Sequence, residues 1–250
     1  MSNYEIVDLS QSFGRNTPLW PWPGMMVDIQ IERVAYLERD QKLTQKITTK
    51  MHAATHTDAP AHVLQDGKYI DEMPLTSFYG TGVVVDIPKK KWEVIMPDDL
   101  EKARPKIQEG DFVIVHTGWH KYWKKDNYAY MNYYPGFYKE VAEWFVAKKV
   151  KAVGIDCAGL DHPMAHPPMD KYMPWVVEEY KSVKGRHPDE DFPIYEPCHK
   201  IILGNGIAGY ENVGGDISKV VGKRVTLAGF PLKFEQGDGS LVRLVAIIEK

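Results

Sequence analysis

Short apolar or alternating runs recur along the chain, each closed by Gly, Pro or Asp, the pattern of strands bounded by turns. They predict strands over 5–9, 26–34, 82–87, 112–116, 152–156, 200–203, 224–227 and 241–248. Helical spacing is rarer. The best case is 137–148, where Tyr138, Val141, Ala142 and Phe145 fall on one face. A shorter helix is expected over 98–103, with Asp98 as a cap ahead of Leu100. Many strands with a few intervening helices predict an α/β, strand-rich single domain spanning 1–250.

Two stretches depart from this pattern. Residues 119–138 carry Trp119, Tyr122, Trp123, Tyr128, Tyr130, Tyr133, Tyr134, Phe137 and Tyr138. Residues 161–198 read as a Pro-rich, irregular insertion, apart from a possible helix around 175–180. Connections this long serve as lids or binding loops, and equally as padding at an oligomer interface. If the aromatic side chains line a pocket, they favour a flat substrate; if they form core, that argument lapses.

Composition narrows the partners. With 31 basic and 34 acidic residues the net charge is -3, and there is no basic block, so nucleic acid is not an expected ligand. Two cysteines, Cys157 and Cys198, are too few and too far apart for a disulfide framework and are read as structural. The first residues lack a basic stretch followed by an apolar one. No run approaches the roughly 18 apolar residues of a membrane span. A cytoplasmic protein acting on a small molecule is expected.

The chemistry concentrates in His52-Ala-Ala-Thr-His56-Thr-Asp58-Ala-Pro-Ala-His62, where three of the nine histidines lie within eleven residues around a carboxylate. Imidazole and carboxylate suit Zn²⁺, Mn²⁺ or Fe²⁺. On a helix, positions 52 and 56 share a face but 58 points away, and Pro60 disfavours helical angles at Ala59. On a straight strand, residues 52 and 62 would stand roughly 33 Å apart, too far to share one ion. The segment is therefore expected to turn tightly, helped by Ala53, Ala54, Ala59 and Ala61.

This segment resembles the HxGTHxDxPxH signature of the cyclase-like metal hydrolases, among them bacterial kynurenine formamidase and isatin hydrolase. It matches at His52, Thr55, His56, Asp58, Pro60 and His62, with Ala54 where the signature has Gly. Further likeness lies in Trp22-Pro23-Gly24, in Val153-Gly154-Ile155-Asp156, and in His199 and Glu211 twelve positions apart. A closing segment, Phe230-Pro-Leu-Lys233 with Gly237-Asp-Gly-Ser240 and Arg243, is similar as well. The resemblance implies a swivelling β/β/α fold. It implies a first divalent metal on His52, His56 and Asp58. In two-metal members Asp58 and Glu211 bridge to a second ion that also takes His199. It makes His62 the acid/base residue, with Trp22 either stacking on an aryl substrate or simply packing. It also implies a homodimer or homotetramer. The 38 positions from Asp161 to His199 exceed the short connection implied for kynurenine formamidases.

Other motifs carry less. Gly204-Asn-Gly206-Ile-Ala-Gly209 fits a dinucleotide fingerprint, but no acid follows at the required distance. His116 and His120 are expected to be structural, and prolines interrupt the His162/His166 pair. No Gly-x-Ser-x-Gly elbow is present. The function expected is hydrolysis of a C–N bond in a small cyclic or aryl amide by metal-activated water, with one or two Zn²⁺ or Mn²⁺ ions. The alternatives are kynurenine formamidase proper, a lactone hydrolase, or a metal-binding protein without catalysis.

Overall fold

The computed structural model describes residues 3–20, 28–166 and 169–249, so Trp22 and the segment around it lie outside the described residues. The strands in chain order are β1 (Tyr4–Asp8), β2 (Gln30–Ala35), β3 (Thr44–Thr48), β4 (His56–Asp58), β5 (Tyr79–Asp86), β6 (Phe112–His116), β7 (Ala152–Ile155), β8 (Ala208–Glu211), β9 (Lys223–Ala228), β10 (Gly239–Leu241) and β11 (Val245–Glu249). The helices are α1 (Leu37–Asp40), α2 (Pro97–Lys102), α3 (Asn127–Asn132), α4 (Lys139–Lys148), α5 (Met169–Tyr172), α6 (Pro174–Lys184), α7 (Pro188–Asp191) and α8 (Pro197–Gly204).

Nine strands form one mixed α/β sheet in the order β1-β11-β9-β5-β6-β7-β8-β4-β10, while β2 and β3 form a separate hairpin. Strands β5 to β8 run parallel, and the flanking strands pair antiparallel. The parallel strands are buried on both faces, which explains why their sequences are continuous apolar runs rather than alternating ones. Side chains still alternate by face. Val83, Val85, Val113, Val115, Val153 and Ile155 face a core shared with Phe137, with Val141 and Phe145 of α4 and with Cys198 and Ile202 of α8. Val84, Phe112 and Ile114 face the other way, onto Val7, Leu227 and Ala246 of the sheet's own flanking strands. The sheet curls onto itself on that side. Among the described residues no helix is long and apolar enough to cross a membrane.

Several expectations change here. Residues 200–203 belong to helix α8, not a strand. Pro197 at the first helical position favours helix initiation, and Cys198 and Ile202, one turn apart, present one apolar face. Without that context a short apolar run reads equally well as either element. The run 241–248 divides into the last residue of β10 and most of β11. Asp98 does not cap α2; the backbone N–H of Met96 donates to Asp99 instead. The stretch 161–198 is largely helical, comprising α5, α6 and α7. In 119–138, Trp119, Trp123, Tyr130, Tyr134, Phe137 and Tyr138 are buried. The first five pack in the α4–α8 core, so the argument for a flat substrate from this stretch lapses.

Candidate metal centre

The histidine-rich segment turns as the distance argument requires, by two devices. Ala54 adopts the left-handed conformation, φ +52°, at the position where the resembled signature has Gly. A short 3-10 turn, Pro60–His62, then reverses the chain after β4. His56 and Asp58, two apart on β4, share a face of the strand. That strand lies between β8 and β10, with His56 opposite Glu211 and Asp58 opposite both Gly209 and Gly239. Gly239 is required as glycine: a Cβ there would sit 2.9 Å from the His52 ring and from Thr57 O.

The groups converge. His52 Nδ1 lies 2.8 Å and His56 Nε2 3.3 Å from Asp58 Oδ1. His199 Nε2 lies 3.6 Å from Asp58 Oδ2 and 2.9 Å from Glu211 Oε1, while His56 Nε2 is 3.4 Å from Glu211 Oε2. Donor atoms about 2.0–2.2 Å from a tetrahedral ion stand roughly 3.3 Å from one another. The set therefore has the spacing of a coordination shell. Two of its atoms, His56 Nε2 and Asp58 Oδ2, are buried without a hydrogen-bond partner among the described residues. Such groups are expensive to leave unpaired, and a divalent cation would satisfy both. Two constellations share Asp58, one with His52 and His56 and the other with His199 and Glu211.

Each imidazole is oriented from behind. His56 Nδ1 pairs with Ala54 O at 2.8 Å, leaving Nε2 as the lone-pair nitrogen. His199 Nδ1 pairs with Asp161 Oδ2 at 2.6 Å. The same carboxylate accepts the backbone N–H groups of Cys198 and His199 in the first turn of α8, so it both fixes the helix and aims the ring. His52 Nε2 is 2.9 Å from Asp238 Oδ2, which leaves Nδ1 facing Asp58. His62 stacks on His52 at 3.9 Å, with Nδ1 3.8 Å from Asp238 Oδ2.

Electrostatics agree with this geometry. Burial opposes charge on His56, but Asp58 and Glu211 outweigh it and push its pKa up to about 10. Burial and the charge of Asp58 would raise Glu211, yet contacts with His199 and His56 hold it to about 2. Asp58 is driven well below the carboxylate range against its own burial, above all by the charge of His56. Without a cation, protons are retained on the imidazoles to balance the carboxylates; a metal entering here would release them.

The expected roles can now be placed. His52, His56, Asp58, His199 and Glu211 come together, and His62 stands at the edge of the group. Sequence reasoning missed Asp161 and Asp238. Asp238 lay within the noted closing segment but 186 positions from His52, so only the β4–β10 pairing shows its use. A further wall comes from the 161–198 stretch. His166 Nδ1 is 3.1 Å from Glu196 Oε1, Tyr134 Oη is 3.3 Å from His166 Nε2, and Trp20 packs edge-on to His166. Burial would raise the Glu196 carboxyl, but the hydrogen bond and charge of His166, with the charges of His199 and His62, hold it to about 2. His116, His120 and Asp156 form another cluster, in which Asp156 accepts from Thr117, Gly118 and His120.

The family model "Putative cyclase" matches residues 7–162. The chain belongs to this family. Curated relatives extend the match along the whole chain. A kynurenine formamidase of Erythrobacter litoralis is 26% identical, covering 98% of this chain and 94% of the relative. An isatin hydrolase of Roseibium aggregatum is 24% identical, covering 98% and 92%. Among solved structures, an isatin hydrolase bound to the product analogue thioisatinate has a TM-score of 0.80 at 22% identity, covering 99% of this chain and 94% of that one. A metal-dependent hydrolase from Bacillus stearothermophilus has a TM-score of 0.70 at 19% identity, covering 98% of each. These likenesses show a shared fold. With its family and its named full-length relatives in agreement, the chain is an enzyme, a hydrolase.

Proposed function

We propose that this enzyme opens the C–N bond of a small cyclic or aryl amide, with His52, His56 and Asp58 holding a divalent ion and His62 acting as acid and base. The observation that carries the reading is the pair of buried, unpartnered atoms, His56 Nε2 and Asp58 Oδ2, inside a shell of donors at coordination spacing. Nitrogen and carboxylate donors suit Zn²⁺ or Mn²⁺. When bound, the ion supplies a Lewis acid and a water whose pKa is drawn down to about 7.

The chain's own residues do the rest. Asp238, Ala54 O and Asp161 hold the rings of His52, His56 and His199 in register. His62 lies against His52 with its side chain one-quarter exposed, so it can exchange protons with solvent. From there it takes a proton from the attacking water and returns one to the leaving nitrogen, and an acid and an amine result. The choice of a cyclic or aryl amide rests on the relatives named isatin hydrolase and kynurenine formamidase. A homodimer or homotetramer is part of the proposal, supported by Val34, Leu43 and Ile47, left exposed on and beside the β2–β3 hairpin.

The test is hydrolysis of isatin, N-formylkynurenine and simple cyclic amides before and after chelation. Turnover that a chelator abolishes and Zn²⁺ or Mn²⁺ restores supports the reading. Turnover indifferent to chelation in fully stripped protein refutes it.

A further inference from the structure

Glu196 is held in a costly conformation whose side chain the helix beside it does not use. Its backbone is left-handed, φ +50° and ψ +45°, at a residue followed by Pro197, where an extended conformation is favoured. It precedes the first turn of α8, yet its side chain caps nothing there; Asp161 accepts the N–H groups of Cys198 and His199 instead. The carboxylate is aimed elsewhere. Oε1 is 3.1 Å from His166 Nδ1, and Tyr134 Oη is 3.3 Å from His166 Nε2. A carboxylate only accepts, so Nδ1 of the neutral ring carries the proton and Nε2 accepts from the Tyr134 hydroxyl. His166 and Tyr134 are buried, whereas the Glu196 side chain is 26% exposed and its Oε2 has no hydrogen bond among the described residues. Strain at a residue whose buried partners orient it, while one acceptor is left open, marks a ligand contact.

Both ends of this chain of groups lie beside the metal centre. Glu196 stands three positions before His199, at the cap and third positions of one helical turn, whose side chains approach one another. Tyr134 Oη packs over Gly159, where a Cβ would come within 2.6 Å of it. The next residue, Leu160, donates its N–H to Glu211 at 2.8 Å. We propose that Glu196 Oε2 accepts the N–H of the amide that is cleaved, with His166 and Tyr134 as its positioning residues. This rests on the amide-hydrolase reading above and deepens it, because it names which amides are taken. A secondary amide satisfies the carboxylate. An N-alkylated amide or a lactone offers no N–H and sets carbon or an oxygen lone pair against a charged acceptor, so both are disfavoured.

Isatin and N-methylisatin differ at that N–H and serve as probes. Metal-loaded wild type, Glu196→Gln and Glu196→Gly are compared by kcat/KM, with metal content checked in each. Glycine takes a left-handed φ without strain, so Glu196→Gly keeps the fold even where Glu196→Gln does not. Wild type is expected to prefer isatin. In both variants kcat/KM for isatin should fall about 10–100-fold, the scale of a hydrogen bond to a charged group, while that for N-methylisatin hardly changes. Equal losses on both probes, or an unchanged preference, overturn the inference. Should wild type turn over neither probe, calorimetric binding of the same two compounds decides. Isatin bound more weakly by the variants than by wild type, with N-methylisatin unaffected, supports the contact; equal binding, or none, overturns it. Chelation-insensitive turnover with isatin still preferred through Glu196 would support the contact while refuting the metal-dependent reading, so the two failures are distinguishable.

Discussion

The His116, His120 and Asp156 cluster and the His52, His56 and Asp58 cluster each offer a pair of histidines and an aspartate within ligand reach of one another, and they behave oppositely. In His116, His120 and Asp156, the aspartate accepts from three backbone N–H groups, the Thr117 hydroxyl and His120 Nδ1, and His116 is held by Asp86. In His52, His56 and Asp58, the second imidazole and the carboxylate keep buried atoms with no partner. Proximity is common to both. What separates them is unspent hydrogen-bonding capacity, because a structure that buries a lone pair without a partner gives up stability that a ligand can restore. The first cluster staples the ends of β5, β6 and β7 together; the second awaits a cation.

The comparison can be broken or sharpened by substitution. The largest effect is expected from His62→Ala: turnover should fall about 10²–10⁴-fold, the usual contribution of a general acid/base. Metal content should stay at the wild-type value, since His62 stands outside the first shell. Loss of metal in this variant would make His62 a ligand. Next is Asp161→Asn, which removes the charge behind His199. If His199 meets an ion, affinity should weaken about 10–100-fold, as for other residues that orient a ligand from behind; if the ion rests on His52, His56 and Asp58 alone, it should hold while turnover falls. Calorimetric titration separates these outcomes.

His120→Ala probes the satisfied cluster. It removes one of several donors to Asp156 and should cost about 1–3 kcal/mol in urea unfolding, with no change in metal content. A drop in bound metal would erase the distinction between the clusters. The smallest effect belongs to Ala54→Gly. An alanine held at positive φ pays about 1–2 kcal/mol, so the variant should be more stable by about 1 kcal/mol, again with metal retained.

How much of this was legible in the sequence differs from residue to residue. The spacing of His52, His56, Asp58 and His62 ruled out a helix and a straight strand, and the chain turns at Ala54 and after Pro60 as that argument demanded. The central strands were readable because both of their faces are buried. Residues 200–203 were misread because four apolar positions fit either period, and only the packing of α8 against α4 decides between them. The aromatic side chains of 119–138 suggested a pocket, yet size and flatness serve a core equally well. Asp238 and Asp161 were invisible as site residues for a different reason. Their role depends on pairing β10 with β4 and on the start of α8 meeting Asp161 in the loop beyond β7, contacts that no local spacing encodes.

The central claim is that a divalent ion enters at Asp58 and not at the His116, His120 and Asp156 cluster. Metal analysis of wild type, Asp58→Ala and His120→Ala, each loaded and desalted alike and assayed on the same amide, tests it most directly. The account predicts bound metal and turnover in wild type and His120→Ala, and neither in Asp58→Ala. Metal retained by folded Asp58→Ala, or lost only in His120→Ala, would contradict it.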